Sequence, residues 1–373
     1  MNLGGVGLSG VLICGAYGAG NLGDEAILKA IIGTLRGIDP AVSICVVTRS
    51  PKKTRRLYGV SAVHTFDFIG IHKAMKKARL FISGGGSLIQ NATSRRSLRY
   101  YLWTLRHAKK CGCKVLMYGC GIGPIEGKSD IRKTAETINT CVDAITLRDR
   151  LSAELLREIG VTKPEVTLAA DPVLALNACS QEEADDFLLK AGVDPEGDYA
   201  LFCLRPWQGL GGHLDAVVEA INFAHGTLGL TPVFMTLNRS VDLETAHRAV
   251  SAADAPCVIL PAAESAELCM GVMKKMRLVV SMRMHAVLFA AAVGVPTVGI
   301  SYDPKVEGFM DYADCGKCVE LKTLTGDELC RCMVSELKCS KAEQALRMDN
   351  IKAVEAMSGR TAERFLKGER KTE

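Results

Sequence analysis

At 373 residues the chain exceeds the size at which single hydrophobic cores stop growing, so two domains are expected. Hydrophobic residues make up 48% of it and charged residues 23%, which excludes a disordered chain and describes an ordinary globular protein. The 46 basic and 41 acidic residues give a net charge of +5, a total that says little until it is divided along the chain.

No basic stretch precedes the first apolar run, Val11 to Cys14, so neither a signal peptide nor a membrane span is expected. The run leads into Gly15-Ala-Tyr-Gly-Ala-Gly-Asn-Leu-Gly-Asp24-Glu25 and then a helix over Glu25 to Leu35. Closely spaced glycines let backbone N–H groups approach a phosphate or carboxylate, and Asn21 and Asp24 add polar side chains at the helix start. The spacing is not that of a dinucleotide fingerprint. The following strand, Ser43 to Val47, leads to Thr48-Arg49 without an acidic residue, which argues against nicotinamide.

From Arg49 to Lys114 there are sixteen Lys or Arg and one acid, Asp67, leaving a remainder with thirty basic and forty acidic residues. A strongly basic segment therefore sits on an acidic body. Inside it, the strand Leu80 to Ser83 opens into Ser83-Gly84-Gly85-Gly86-Ser87, read as a second glycine loop at a neighbouring sheet edge. The helix Ser97 to Lys109 follows, with an apolar stripe of Leu98, Tyr101, Leu102, Leu105 and Ala108. Arg96, Arg99, Tyr100, Trp103, Arg106 and Lys110 occupy its other face. Basic residues interleaved with aromatics suit a membrane surface or a bound phosphate, and a plain solvated face is the alternative. No nucleic-acid partner is expected.

Further strands are predicted at Lys114 to Tyr118, Ala144 to Leu147, Ala200 to Leu204, Pro232 to Met235, Leu278 to Val280 and Thr297 to Ile300. Helices are predicted at Ser152 to Ile159, Gln181 to Ala191, His213 to His225, Ser265 to Lys274 and Ala286 to Val293. The alternation predicts an α/β architecture of two Rossmann-like, doubly wound domains. The expected division is 1–176, 177–340 and a C-terminal segment 341–373 of one or two helices with a charged tail. Fifteen cysteines scattered through such elements fit a reducing cytoplasm. Cys315, Cys318, Cys330, Cys332 and Cys339 lack the spacing of two zinc ligand pairs, and no metal is expected.

The most informative stretch is Ser281-Met-Arg-Met-His285, between an apolar strand and an apolar helix. A loop there delivers its side chains to the carboxyl edge of a parallel sheet beside a helix N-terminus, where Arg283 and His285 would meet an anion. The alternative is a structural ion pair for Arg283 and a capping role for His285.

Gly20-Asn-Leu-Gly-Asp-Glu25, Ser83-Gly-Gly-Gly-Ser-Leu88 with Gln90, Gly119-Cys-Gly-Ile-Gly-Pro124, Thr146-Leu-Arg-Asp149, Ala170-Asp-Pro172, Arg205-Pro-Trp207, Ser281 to His285 and Gly299-Ile-Ser-Tyr-Asp-Pro-Lys305 together resemble the polysaccharide pyruvyl transferase family, and closely its CsaB type, which modifies bacterial cell-wall glycopolymers. The resemblance implies a GT-B-like fold, with two domains facing across a cleft. It also implies transfer of pyruvate from phosphoenolpyruvate onto two sugar hydroxyls as a cyclic ketal, without a cofactor. The implied acceptor is N-acetylmannosamine on a diphosphate-linked lipid, which would bring the enzyme to the cytoplasmic leaflet.

Phosphoenolpyruvate carries a carboxylate and a phosphate, for which Arg148, Arg205 and Arg283 are the candidate cations, although Arg148 could instead pair with Asp149. His285 is the candidate acid and base, Asp24 its candidate partner, and Lys305 a candidate for neutralising the departing phosphate. Asn21, Gly84, Gly85, Gly86 and Ser87 complete the expected substrate set, and Arg95, Arg96, Arg99 and Arg106 the acceptor- or membrane-facing set. Two other classes stay open: a GT-B glycosyltransferase gripping a nucleotide sugar through Arg283, Lys305 and Glu307, and a non-catalytic scaffold.

Overall fold

Each of the nine apolar runs forms a strand, and all nine lie in the interior of two wholly parallel sheets. The computed structural model describes residues 10–92, 94–302 and 304–368, with the side chains of Pro304, Lys305 and Lys341 outside that description. The first sheet contains β1 (Gly10–Cys14), β2 (Ile44–Thr48), β3 (Ser61–His64), β4 (Ala78–Ile89), β5 (Lys114–Ile122), β6 (Ala144–Leu147) and β7 (Glu165–Leu168), in the order β3-β2-β1-β4-β5-β6-β7. The second contains β8 (Tyr199–Cys203), β9 (Thr231–Phe234), β10 (Val258–Ile259), β11 (Leu278–Ser281), β12 (Thr297–Ser301) and β13 (Lys317–Glu320), in the order β10-β9-β8-β11-β12-β13.

The four strands that the hydrophobic pattern misses, β3, β7, β10 and β13, are the four sheet edges. An edge strand is covered on fewer sides and needs no continuous apolar run. β3 buries only Ala62 fully, and Val166 of β7 is exposed. Interior strands show the opposite pattern: every residue of β8, β11 and β12 is buried. Fully burying an aliphatic or phenyl side chain contributes about 1.5–3 kcal/mol. The cores gathered around Leu12, Phe81 and Met117 in one sheet, and around Phe202, Phe234 and Val280 in the other, are therefore ample for separate units.

The chain forms two compact units, 1–172 with 354–373, and 173–353. This differs from the expected division in two places. The crossing falls at Pro172–Val173 rather than 176/177, and the C-terminal segment is not a piece of its own. It is one 27-residue helix, Lys341–Lys367, whose end returns to the first unit. There Ser358 Oγ meets Thr146 Oγ1 at 3.1 Å and Arg364 forks onto Glu165 at 3.1 and 3.2 Å. Ala362 and Leu366 are buried, so apolar packing fixes that end as well.

In both sheets the strand order reverses direction at one place, between β1 and β4 and between β8 and β11. Chain segments leaving the two strands on either side of such a point go to opposite faces of the sheet. This opens a crevice at the carboxyl ends, where doubly wound folds bind ligands.

Candidate functional site

The first unit assembles one group of polar side chains at its switch point. Leaving β1, the chain turns through Gly18, whose φ is +77°. A Cβ there would collide with Thr48 Oγ1 and lie 2.6 Å from the Ser50 nitrogen, so only glycine fits. Glu25 ties this turn down: its Oε1 accepts from the Gly18 N–H at 2.7 Å and its Oε2 from the Tyr58 hydroxyl at 3.2 Å. Asn21 caps the helix Leu22–Ile38, its Oδ1 accepting from the Gly23 N–H at 3.1 Å. Its Nδ2 donates to Asp24 Oδ2 at 2.7 Å, which fixes the carboxylate in the first helical turn.

Burial pushes the Asp24 carboxyl up to about 6, with the charges of Glu25 and Asp171 adding to the rise. The Asn21 hydrogen bond and the charge of Arg148 hold it back. Such a carboxyl exchanges a proton near neutrality, which an ordinary aspartate does not. Tyr17, not singled out by the sequence, is buried behind it, with its hydroxyl packed against Gly84.

Ser83 to Ser87 is not a loop. It belongs to the twelve-residue strand β4, in which Gly84 pairs with Tyr118 and Gly86 with Cys120 of β5. The glycines serve close packing: a Cβ on Gly84 would meet the Tyr17 hydroxyl, and one on Gly85 would meet Ile27. Gly86, at φ +75°, lies beside Asp24, a Cβ there standing 3.5 Å from Asp24 Oδ1. Ser87 Oγ accepts from Arg148 Nη2 at 3.0 Å. Gly121 leaves room for this contact, since its Cβ would stand 2.9 Å from Ser87 Oγ and 3.0 Å from Arg148 Nε.

Arg148 does not pair with Asp149, which instead caps the helix Arg150–Glu158 through Ser152. Its partner is Asp171, at 2.6 Å in a pair almost wholly out of solvent. Burial opposes its charge, but the charge and hydrogen bond of Asp171 outweigh this and hold the guanidinium above its ordinary value. Arg148 is thus neutralised as a cation, and it orients Ser87.

The second unit carries two groups at its own switch point. After β8, Arg205 lies over the rings of Trp207 and Tyr302, 5.1 and 4.8 Å from their centroids, and donates to the Tyr302 hydroxyl at 2.6 Å. The two rings are 4.4 Å apart. Among the described residues no carboxylate pairs with Arg205, and the two rings fix the plane of its guanidinium. After β11, Arg283 occupies the cap position of the helix Met284–Ala292, its N–H bonded to Ser281 Oγ at 2.9 Å. Its guanidinium pairs with Asp242, a fully buried carboxylate that also accepts from the Asn238 N–H at 3.0 Å.

Asp242 was not legible in the sequence, whose pattern predicts no helix there; the structure places it in the first turn of the helix Arg239–Ala252. His285 stands in the first turn of Met284–Ala292, half-buried, with its ring 6.3 Å from Phe289. The Lys305 side chain lies outside the described residues. Arg148, Arg205 and Arg283 share one property: each has a buried Nε–H with no hydrogen-bond partner among the described residues, a property also of Arg79 away from the switch points.

The four arginines of the basic helix separate into two pairs. Arg95 forks onto Asp130 at 2.6 and 3.1 Å, and Arg106 donates to Thr137 Oγ1 at 3.0 Å, so both face the helix Lys128–Cys141. Arg96 and Arg99 instead line an open depression of about 530 Å³ with Phe68, Tyr100 and Trp103. Phe66, Phe68 and Ile69 are at least half exposed at 63, 50 and 71%. Among the described residues no helix is long and apolar enough to cross a membrane.

The family model for polysaccharide pyruvyl transferase matches residues 21–304, which include Asn21, Asp24, Arg148, Arg205, Arg283 and His285. No curated protein sequence matches the chain. Solved structures similar in fold include S. aureus MnaA bound to UDP, at a TM-score of 0.65 and 10% identity over 95% of either chain. The UDP-GlcNAc 2-epimerase of Methanocaldococcus jannaschii gives 0.62 and 12%, over 93% of this chain and 99% of that one. Anabaena HepE with UDP and glucose gives 0.61 and 9%, over 96% and 100%. At such identities the likeness is one of fold, two Rossmann-like units of the GT-B-like class.

Proposed function

The chain belongs to the polysaccharide pyruvyl transferase family, and on that premise we propose that it moves pyruvate from phosphoenolpyruvate onto two hydroxyls of a sugar as a cyclic ketal, releasing phosphate. The observation that carries this reading is the pair of arginines that follow the switch-point strands of the second unit, Arg205 and Arg283, each keeping an Nε–H available for an acceptor, with Arg148 offering the same group in the first unit. A small dianionic donor needs fixed, forked hydrogen-bond donors more than a nucleotide-binding surface, and guanidinium groups supply them. Of the three, Arg205 supplies the net positive charge, because Asp171 and Asp242 neutralise the other two. Arg148 and Arg283 act as rigid hydrogen-bond donors.

The chemistry requires a proton on the methylene carbon of the donor, which leaves the central carbon electrophilic. One sugar hydroxyl adds there and loses its proton to a base. The second hydroxyl adds as the C–O bond to phosphate breaks. Two C–O bonds form and one is lost; of the two hydroxyl protons, one balances the proton delivered to carbon and the other leaves with phosphate. We assign the proton transfers to His285 and Asp24. An imidazole exchanges protons at neutral pH, and Asp24, raised to about 6, is suited to accept a hydroxyl proton.

The acceptor in this reading is an amino sugar, N-acetylmannosamine, on a lipid diphosphate. Support comes from the depression lined by Arg96, Arg99, Tyr100 and Trp103, where exposed apolar side chains stand beside arginines. The protein would then act at the cytoplasmic membrane face, as a peripheral enzyme.

The test is phosphate release from phosphoenolpyruvate that depends on a lipid-linked amino-sugar acceptor. In that assay His285→Ala should lose about 10²–10⁴-fold in kcat. Normal turnover by that variant would remove His285 from the chemistry. Consumption of a UDP-sugar with no phosphate released from phosphoenolpyruvate would replace the reading with glycosyl transfer.

A further inference from the structure

On the surface of the first unit, outside the groups described above, three metal-binding side chains meet. His72 lies in the last turn of the helix Phe68–Met75. His107 and Cys111 lie four residues apart, at the end of the helix Arg95–Lys110 and just beyond it, and so share one face. His72 Nδ1 stands 3.0 Å from His107 Nε2 and 3.6 Å from Cys111 Sγ, and the three atoms fall within 4.8 Å of one another. Zinc binds histidine nitrogen at about 2.0–2.1 Å and thiolate sulfur at about 2.3 Å, so tetrahedral ligand atoms stand roughly 3.3–3.8 Å apart. The two distances from His72 Nδ1 are within a few tenths of an ångström of that range, and side-chain rotations of up to about an ångström would bring all three atoms onto one ion.

We propose that His72, His107 and Cys111 bind one divalent cation of the zinc class. Two imidazoles and a thiolate select such an ion over magnesium or calcium, which take oxygen ligands. Without a metal the same contacts are hydrogen bonds, from His72 Nδ1 to His107 Nε2 at 3.0 Å and to Cys111 Sγ at 3.6 Å, so one ring nitrogen serves both partners, whereas a metal would engage all three side chains.

The local charges set the conditions. Lys76 and Lys110 are close enough to act on His107, and their positive charge opposes a cation. Burial first, then His72, Lys110 and Lys76, hold the His107 imidazole below its ordinary value. Burial raises the Cys111 thiol. As the sulfur–metal bond forms, that thiol must release its proton to solvent, and binding weakens as pH falls.

With three protein ligands the ion would keep a fourth position for water, and its effect on the protein would be to join two helices. The His107 ring stacks on Trp103 at 5.1 Å and 14°, and Phe68 meets Trp103 edge-on at 5.1 Å. A metal bridging His72 to His107 therefore ties together the two helices that carry the basic aromatic depression.

Cobalt(II) added to the chelator-treated full-length protein provides the test, because a thiolate ligand gives it a charge-transfer absorption. The expected result is one equivalent bound with that absorption and displaced by zinc. Cys111→Ser should abolish the absorption, and His72→Gln should weaken cobalt binding by at least about tenfold. Zinc should raise the melting temperature of the wild type and not of His72→Gln, whose ring is exposed and whose replacement leaves the core intact. Failure to take up cobalt at micromolar concentration, or equal affinity and absorption in the wild type and His72→Gln, would overturn the site.

Discussion

Replacing Asp24 with Asn should remove activity and yet stabilise the first unit at neutral pH. The carboxyl stands at about 6 in the folded chain against an ordinary 3.8, chiefly because it is buried. A group whose folded value is raised costs stability once it is ionised, and the cost is complete above the folded value. A shift of about two units corresponds to roughly 3 kcal/mol at most, at 1.36 kcal/mol per unit. Asn keeps the shape and still accepts from Asn21 Nδ2, so the gain should approach about 1–3 kcal/mol above pH 7.

The sign reverses nothing elsewhere: as pH falls through 6 toward 4, the wild-type carboxyl takes up a proton and the advantage of the variant disappears. Trp103 and Trp207 are the two tryptophans, one in each unit, so a Trp207→Phe background leaves fluorescence that reports the first unit alone. Urea midpoints of Asp24→Asn and its parent should differ at pH 7.5 and converge near pH 4.5. A variant no more stable than its parent at pH 7.5, or an advantage independent of pH, would refute the account of Asp24 as a buried, perturbed acid.

The buried pair of the first unit gives a contrasting case. Asp171→Asn leaves the Arg148 guanidinium buried without a counter-charge and should cost about 3–5 kcal/mol, visible as a lower urea midpoint in the same fluorescence assay. Arg205→Lys keeps the charge but loses the planar stack on Trp207 and Tyr302, so KM for phosphoenolpyruvate should rise by about 5–30-fold, equivalent to about 1–2 kcal/mol, with a smaller effect on kcat. Arg96→Ser with Arg99→Ser should weaken binding to anionic vesicles, whereas Arg95→Ser, already committed to Asp130, should change it little. Sedimentation at two salt concentrations separates these outcomes, and equal loss in all three positions would mean that the depression is not the contact surface.

The interior strands were legible because a parallel strand covered on both faces must be apolar throughout, as β8 and β11 are. The edge strands were not, because β3 and β7 satisfy weaker demands. The same division runs through the site. Strand ends followed by Asn21, Asp24, Arg205, Arg283 and His285 marked the carboxyl edges of the sheets, since residues after the strands of a doubly wound sheet reach that end whatever the rest of the chain does. The glycine triplet was misread as a loop because an open turn and a strand packed under Tyr17 and Ile27 both require residues without a side chain.

What the sequence by itself determined is therefore the architecture and the identity of the strand-end residues, which follow from local pattern and spacing, and the family, which follows from the resemblance of its motifs. Only the tertiary structure decided what those residues face. Asp171 neutralises Arg148 from 23 residues away, Asp242 neutralises Arg283 from 41 away, and Tyr302 fixes Arg205 from 97 away. Net charge at a guanidinium depends on which carboxylate is folded against it, and chain separations of this length carry no local signature from which that partner can be read.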